Sequence, residues 1–86
     1  MYRVVLARPA RRFFERADAG LQRRLDKCFE ELAADPRGLS GIRPLKGKHA
    51  GHLRARIGPY RVVFRIEEDG RVVIVSTISH RREVYR

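Results

Sequence analysis

Apolar and polar positions alternate most regularly between Gly51 and Ile78. In the run Leu53-Arg54-Ala55-Arg56-Ile57 the apolar side chains fall on one face of an extended chain, and His52, Arg54 and Arg56 fall on the other. Gly58-Pro59 interrupts the run as a turn. Tyr60, Val62, Phe64 and Ile66 then alternate with Arg61, Val63 and Arg65, and Glu68-Asp69-Gly70 makes a second turn. Val72 to Ile78 is almost entirely β-branched, the pattern of a strand buried on both faces. The alternation predicts a three-stranded antiparallel meander with one apolar face and one face carrying guanidiniums.

Upstream the period changes. Tyr2 to Ala7 is short and β-branched and predicts a strand, bounded by Pro9 at the start of a helix. Ala10, Phe13, Phe14 and Ala17 recur at helical spacing, with Arg11, Arg12, Glu15 and Arg16 opposite and Arg11–Glu15 at pairing distance. Asp18 is placed to cap a second helix over Ala19–Ala34, whose stripe is Leu21, Leu25, Cys28, Phe29 and Leu32. Asp35-Pro36 ends it. The expected fold class is therefore α+β: an N-terminal strand, an αα-hairpin, then the meander, as a single domain over residues 1–86. Pro36 to Gly51, with four glycines and two prolines, is read as a loop, functional or loosely ordered until a partner binds. The stretch Gly41–Lys48 is not a phosphate loop, because Lys46 stands where that motif needs glycine and His49 where it needs Ser or Thr.

Charge sharpens this picture. Twenty Lys and Arg against ten Asp and Glu give a net charge of +10. Residues 36–66 hold Arg37, Arg43, Lys46, Lys48, Arg54, Arg56, Arg61 and Arg65 and no acid. A solvated surface normally mixes its signs, so a one-sign segment of this length points to a polyanionic partner. The lone Cys28, in an apolar stripe, reads as a small buried hydrophobe and excludes an internal disulfide. No apolar run reaches membrane-spanning length and Val4–Ala7 is too short for a signal-peptide core, so a cytoplasmic protein without membrane contact is expected.

The residue types exclude some chemistry. Ser40, Ser76 and Ser79 have no His–acid partner in the pattern, and the three histidines are too scattered for a metal site, so neither metal nor cofactor is expected. Arg54, Arg56, Arg61, Arg65, Arg81 and Arg82, with His52, His80 and Tyr85, remain. Guanidiniums clamp phosphates and stabilise a phosphorane, aromatic rings stack on bases, and histidine moves protons near neutral pH. Lys46, Lys48 and His49 lie along the approach to the basic face. Composition alone reaches nucleic-acid binding and goes no further.

The runs Leu45-Lys46-Gly47, Leu53 to Phe64 (LRARIGPYRVVF) and Ile78 to Tyr85 (ISHRREVY) resemble the RelE branch of the RelE/ParE toxin superfamily. The resemblance implies a microbial-RNase-like fold and the toxin of a type II toxin–antitoxin pair. It further implies an mRNA endonuclease acting in the ribosomal A site, with mRNA, ribosome and a cognate acidic antitoxin as partners. By position, Arg54 takes the place of an electrostatic or base-like lysine and Arg61 that of the arginine on the scissile phosphate. Arg81 matches the arginine that assists the leaving 5′-oxygen, Tyr85 the tyrosine that stacks on the substrate base, and His52 a second lysine. Arg54 will hardly deprotonate, so His52 or His80 is the candidate for proton transfer, with a purely structural histidine as the alternative. Lys46, Lys48, Arg56, Arg65, His80 and Arg82 are the remaining expected RNA contacts. Two other functions stay open: a ParE-like DNA gyrase inhibitor without nuclease activity, and an inert basic RNA-binding module.

Overall fold

A computed structural model describes residues 1–39 and 41–81 of the chain. The elements in chain order are β1 (Arg3–Leu6), α1 (Arg8–Arg16), α2 (Ala19–Ala34), β2 (Arg43–Pro44), a 3-10 turn at Gly47–His49, β3 (Leu53–Ile57), β4 (Tyr60–Glu67) and β5 (Val72–His80). They form one sheet in the order β1-β5-β4-β3-β2. β1 runs parallel to β5, and the other pairings are antiparallel. The expected strand, helical hairpin and meander are all present.

The helices end where their sequences end them. Pro9 occupies the first turn of α1. The Asp18 carboxylate accepts from the Leu21 N–H at 2.8 Å, satisfying one of the orphan donors of α2. Gln22 Nε2 donates to the Phe14 carbonyl at 2.7 Å and ties the two helices together at their junction. Leu25, Cys28 and Leu32 of α2 and Ala10 of α1 are buried against Ala55, Val62, Phe64, Val73, Val75 and Ile78 of the sheet. Cys28 is buried, and its thiol is pushed up to about 11 by that burial and by Glu31, which makes it a poor nucleophile. The Arg11–Glu15 pairing expected on α1 does not form, since the ion pairs among the described residues are Arg37–Glu68 and Arg65–Glu67.

Three features depart from the sequence-based expectation. Helices cover only one side of the sheet, so β5 is buried on one face rather than both: Val73, Val75 and Ile78 are buried while Thr77 is exposed. The register of β5 also shifts. Val63 pairs with Thr77 and Phe64 with Val75, which leaves Ser76 as an extra residue in a bulge. Finally, the loop after α2 is ordered enough to supply the edge strand β2, whose Arg43 and Pro44 pair with Arg54 and Leu53. Gly41, Gly47 and Gly51 take φ values of 79°, 70° and 89° there, a region that side chains disfavour and glycine enters freely.

Candidate nucleic-acid interface

Strand alternation places Arg54, Arg56, Arg61, Val63 and Arg65 on the face away from the helices. Arg56 and Arg61 stand directly opposite each other on β3 and β4, and Arg54 faces Val63 one pair further along. Like charges directly opposite on a sheet are destabilising, so folding alone does not favour this pairing. Arg54 is buried at 8% exposure, Arg61 is half-buried and Arg56 is exposed.

Two depressions share Arg61. One, of about 370 Å³, lies between the loop after α2 and the middle of β4 and β5, with Lys46, His49, His52, Arg61, Ser76 and Ser79 on its walls. The other, of about 130 Å³, sits over the β3–β4 turn and gathers Arg56, Arg61 and Arg81. Arg81 is held there by its backbone N–H, which donates to the Pro59 carbonyl at 2.7 Å. Gly58 in this turn has φ 57°, a conformation that favours glycine, and a Cβ at that position would displace the exposed guanidinium of Arg24.

Backbone bonds around the 3-10 turn fix the histidine end of the larger groove. His52 N–H donates to the His49 carbonyl and Leu45 N–H to the His52 carbonyl, both at 3.0 Å. The two imidazoles stand edge to face with centroids 6.5 Å apart. His52 Nδ1 is buried and makes no hydrogen bond to a described residue. Lys46, Lys48, Arg56, Arg61 and Arg81 form no ion pair with a described carboxylate. Arg65, further along β4, is paired with Glu67 at 3.2 Å.

The structure thus brings Arg61 together with His52 and Lys46 in one depression and with Arg56 and Arg81 in the other, while Arg54 lies on the same face outside both and Lys48 is exposed on the 3-10 turn. It does not bring His80 to this face. The Ser76 bulge reverses the alternation of β5, so His80 pairs with Tyr60 on the helix side and stacks edge-on against its ring at 5.2 Å, while Ser79 turns to the groove. Arg82 and Tyr85, like Ser40, lie outside the described residues. His49 lines the groove, as its place on the approach to the basic face predicts, whereas Ser76 and Ser79 join it unexpectedly, because only the bulge reveals where they face. No group of three or more His, Cys, Asp or Glu among the described residues is arranged to hold a metal ion. No helix among them is long and apolar enough to cross a membrane.

A mixed five-stranded sheet backed on one face by a helical hairpin, with Arg54, Arg56, Arg61 and Arg65 on the other face, defines a small α+β domain. The model of the ParE toxin of type II toxin–antitoxin systems matches residues 4–85, and the chain belongs to this family, within the RelE/ParE toxin superfamily. It is 34% identical over 59 residues to Toxin RelG of Mycobacterium tuberculosis, a match spanning 69% of this chain and 66% of that protein, just under two thirds of its length. The fold is similar to the toxin–antitoxin complex RelBE2 of M. tuberculosis, with a TM-score of 0.81 and 25% identity, covering 92% of this chain and 96% of the other. It is also similar to the isolated RelE toxin of Escherichia coli, with a TM-score of 0.77 and 21% identity, covering 99% and 92%.

Proposed function

We propose that this toxin is a ribosome-dependent mRNA endonuclease, cutting by attack of a ribose 2′-OH on the adjacent phosphate. The observation that carries this reading is that Arg61 joins a groove walled by Lys46 and His52 to a depression holding Arg56 and Arg81, with Arg54 on the same sheet face. A new bond forms between the 2′-oxygen and phosphorus while the bond to the 5′-oxygen breaks, leaving a 2′,3′-cyclic phosphate and a 5′-hydroxyl. Arg61, shared by both depressions, receives the charge that develops on the non-bridging oxygens, and Arg54 adds to that field from a buried position where Coulomb interactions are strong. Arg81 supports the negative charge on the departing 5′-oxygen, which takes up a proton from solvent water. His52 takes the 2′-proton, since the guanidinium of Arg54 stays protonated. Lys46, Lys48, Arg56 and Arg65 track the strand, with Tyr85 and Arg82 proposed as further contacts on the substrate. The partner that restrains it is an acidic antitoxin segment, in keeping with the net charge of +10 and with relatives solved as toxin–antitoxin complexes.

The test is cleavage of mRNA on programmed ribosomes by wild type and by a substrate with deoxyribose at the cut position. Cleavage of the first and none of the second is expected, and cutting of the deoxy substrate overturns the mechanism. The match to the ParE family model favours a second reading, a DNA gyrase inhibitor without nuclease activity. DNA double-strand breaks with intact mRNA after induction would establish it in place of the first.

A further inference from the structure

A further recess lies on the other side of the β3–β4 turn from the cationic groove. It measures about 600 Å³ and opens between α1 and the adjoining ends of β4 and β5. Its walls include three aromatic rings in a ladder: Phe13 stands edge-on to Tyr60 at 5.8 Å, and Tyr60 edge-on to His80 at 5.2 Å. All three rings are only partly buried. Arg12 and Arg16, exposed on successive turns of α1, stand at its rim with Asp18, whose carboxylate is engaged by the Leu21 N–H.

This recess adjoins the interface already described at the β3–β4 turn. Tyr60 lines both it and the small depression of Arg56, Arg61 and Arg81, and Arg61 lines both that depression and the large groove. One path therefore runs from His52, past Arg61 and Arg81, over the turn and on to the aromatic ladder. Its repeat is guanidinium, ring, guanidinium. A single RNA strand offers the complementary order of phosphate, base, phosphate, and proteins that hold such strands combine these two kinds of surface. An apolar peptide segment would fit the rings but would leave the cations of the turn unsatisfied.

We infer that the recess holds the nucleotide neighbouring the cleavage position on the same strand, its base against Phe13, Tyr60 and His80 and its phosphate reached by Arg12 and Arg16. The inference rests on the endonuclease reading and adds a subsite to it. The bulge at Ser76 then has a second consequence: by sending His80 to the helix side it completes the ladder there.

The experiment uses the full chain on programmed ribosomes carrying mRNA with deoxyribose at the cut position and one 4-thiouridine at each flanking position in turn. After irradiation, peptide mapping locates the crosslinks. One flanking position is expected to crosslink to Phe13, Tyr60 or His80. The double variant Arg12→Glu/Arg16→Glu is expected to lower that yield about tenfold, the scale of one lost charge-assisted contact. Arg8→Glu/Arg11→Glu, which changes the charge of α1 equally but outside the recess, should leave it unchanged. Equal losses in both variants, crosslinks confined to the cationic groove, or crosslinks to ribosomal RNA in place of mRNA would each overturn the subsite. So would a recess whose variants lose only the binding of an acidic antitoxin peptide. Failure of wild type to cut the all-ribose mRNA defeats the endonuclease reading itself, whereas normal cutting with no recess crosslink defeats the subsite alone.

Discussion

Along β4, residues step between two environments. Val62 and Phe64 have no exposed surface beneath the helices, whereas Arg61 and Val63 keep part of theirs and Arg65 is exposed. The covered face obeys packing: each side chain there removes apolar area from water, and its neighbours across β3 and β5 are Ala55, Val75 and Ile78. The open face sets Arg56 opposite Arg61, a choice that works against folding. One face of a strand therefore reports what stabilises the domain, and the other carries cations that packing does not explain.

The sharpest way to break this contrast is to exchange the consequences of the two faces. Phe64→Ala should lower stability by about 3–5 kcal/mol, the usual loss for a large core aromatic. At about 0.05–0.15 kcal/mol per residue a domain of this length has about 4–13 kcal/mol in total, so the variant should lose a large share of its stability and its urea midpoint at 25 °C should fall steeply. A loss under about 1 kcal/mol would mean that the helices do not shield this face. Arg61→Ala should do the opposite. Cleavage on programmed ribosomes should fall by about 10²–10³-fold, as for removal of one transition-state donor, while the urea midpoint stays level or rises as repulsion with Arg56 is relieved. A variant that unfolds would place Arg61 in the scaffold.

A smaller effect tests the seam between the faces. Gly58→Ala forces a side chain into a left-handed conformation and against the Arg24 guanidinium, with an expected loss of about 1–2 kcal/mol in the same titrations. Since this turn also positions Arg81, cleavage should fall more than the stability loss explains. Unchanged cleavage in the folded fraction would detach the turn from the site.

The covered face was legible in the sequence because packing repeats with the period of the element. Leu25, Cys28 and Leu32, or Val62 and Phe64, announce their side by spacing alone, and Asp18 announces the start of α2 by its position before an apolar stripe. The grouping of Arg54, Arg56 and Arg61 on one face follows from the same two-residue period. What spacing could not show is anything set by register between strands. Ser76 looks like any other residue of β5, yet its bulge decides that Ser79 faces the groove and His80 the helices. Two residues of β2, one a proline, carry no strand signal, and their pairing depends on glycines far from them in conformation. The turn before β5 likewise places its positive φ, 54°, on Arg71 rather than on the adjacent Gly70, with the Arg71 guanidinium 5.5 Å from the centre of the Tyr2 ring.

That last region gives the smallest and most specific test, because it is where the described acids do meet cations. The Tyr2 hydroxyl donates to Glu68 at 2.7 Å, and Arg37 pairs with the other carboxylate oxygen at 2.6 Å. The hydrogen bond from Tyr2, followed by that from Arg37, holds the Glu68 carboxyl below its ordinary range. A folded-state value below the unfolded one means that folding favours the ionised form. Its contribution is complete above the unfolded value of about 4.3 and fades as pH falls through the folded value. Arg37 and Glu68 keep more than half of their side-chain surface in water, so the effect is small and salt weakens it. Wild type should therefore melt slightly above Glu68→Gln at pH 7 in low salt, with the gap closing by pH 3 and narrowing in concentrated salt. Arg61→Ala has no carboxylate to lose, and its difference from wild type should stay level across the same pH range. A gap for Glu68→Gln that survives at pH 3 would show that the hydrogen-bonding shape of the side chain, not its charge, holds the chain's beginning to the β4–β5 turn.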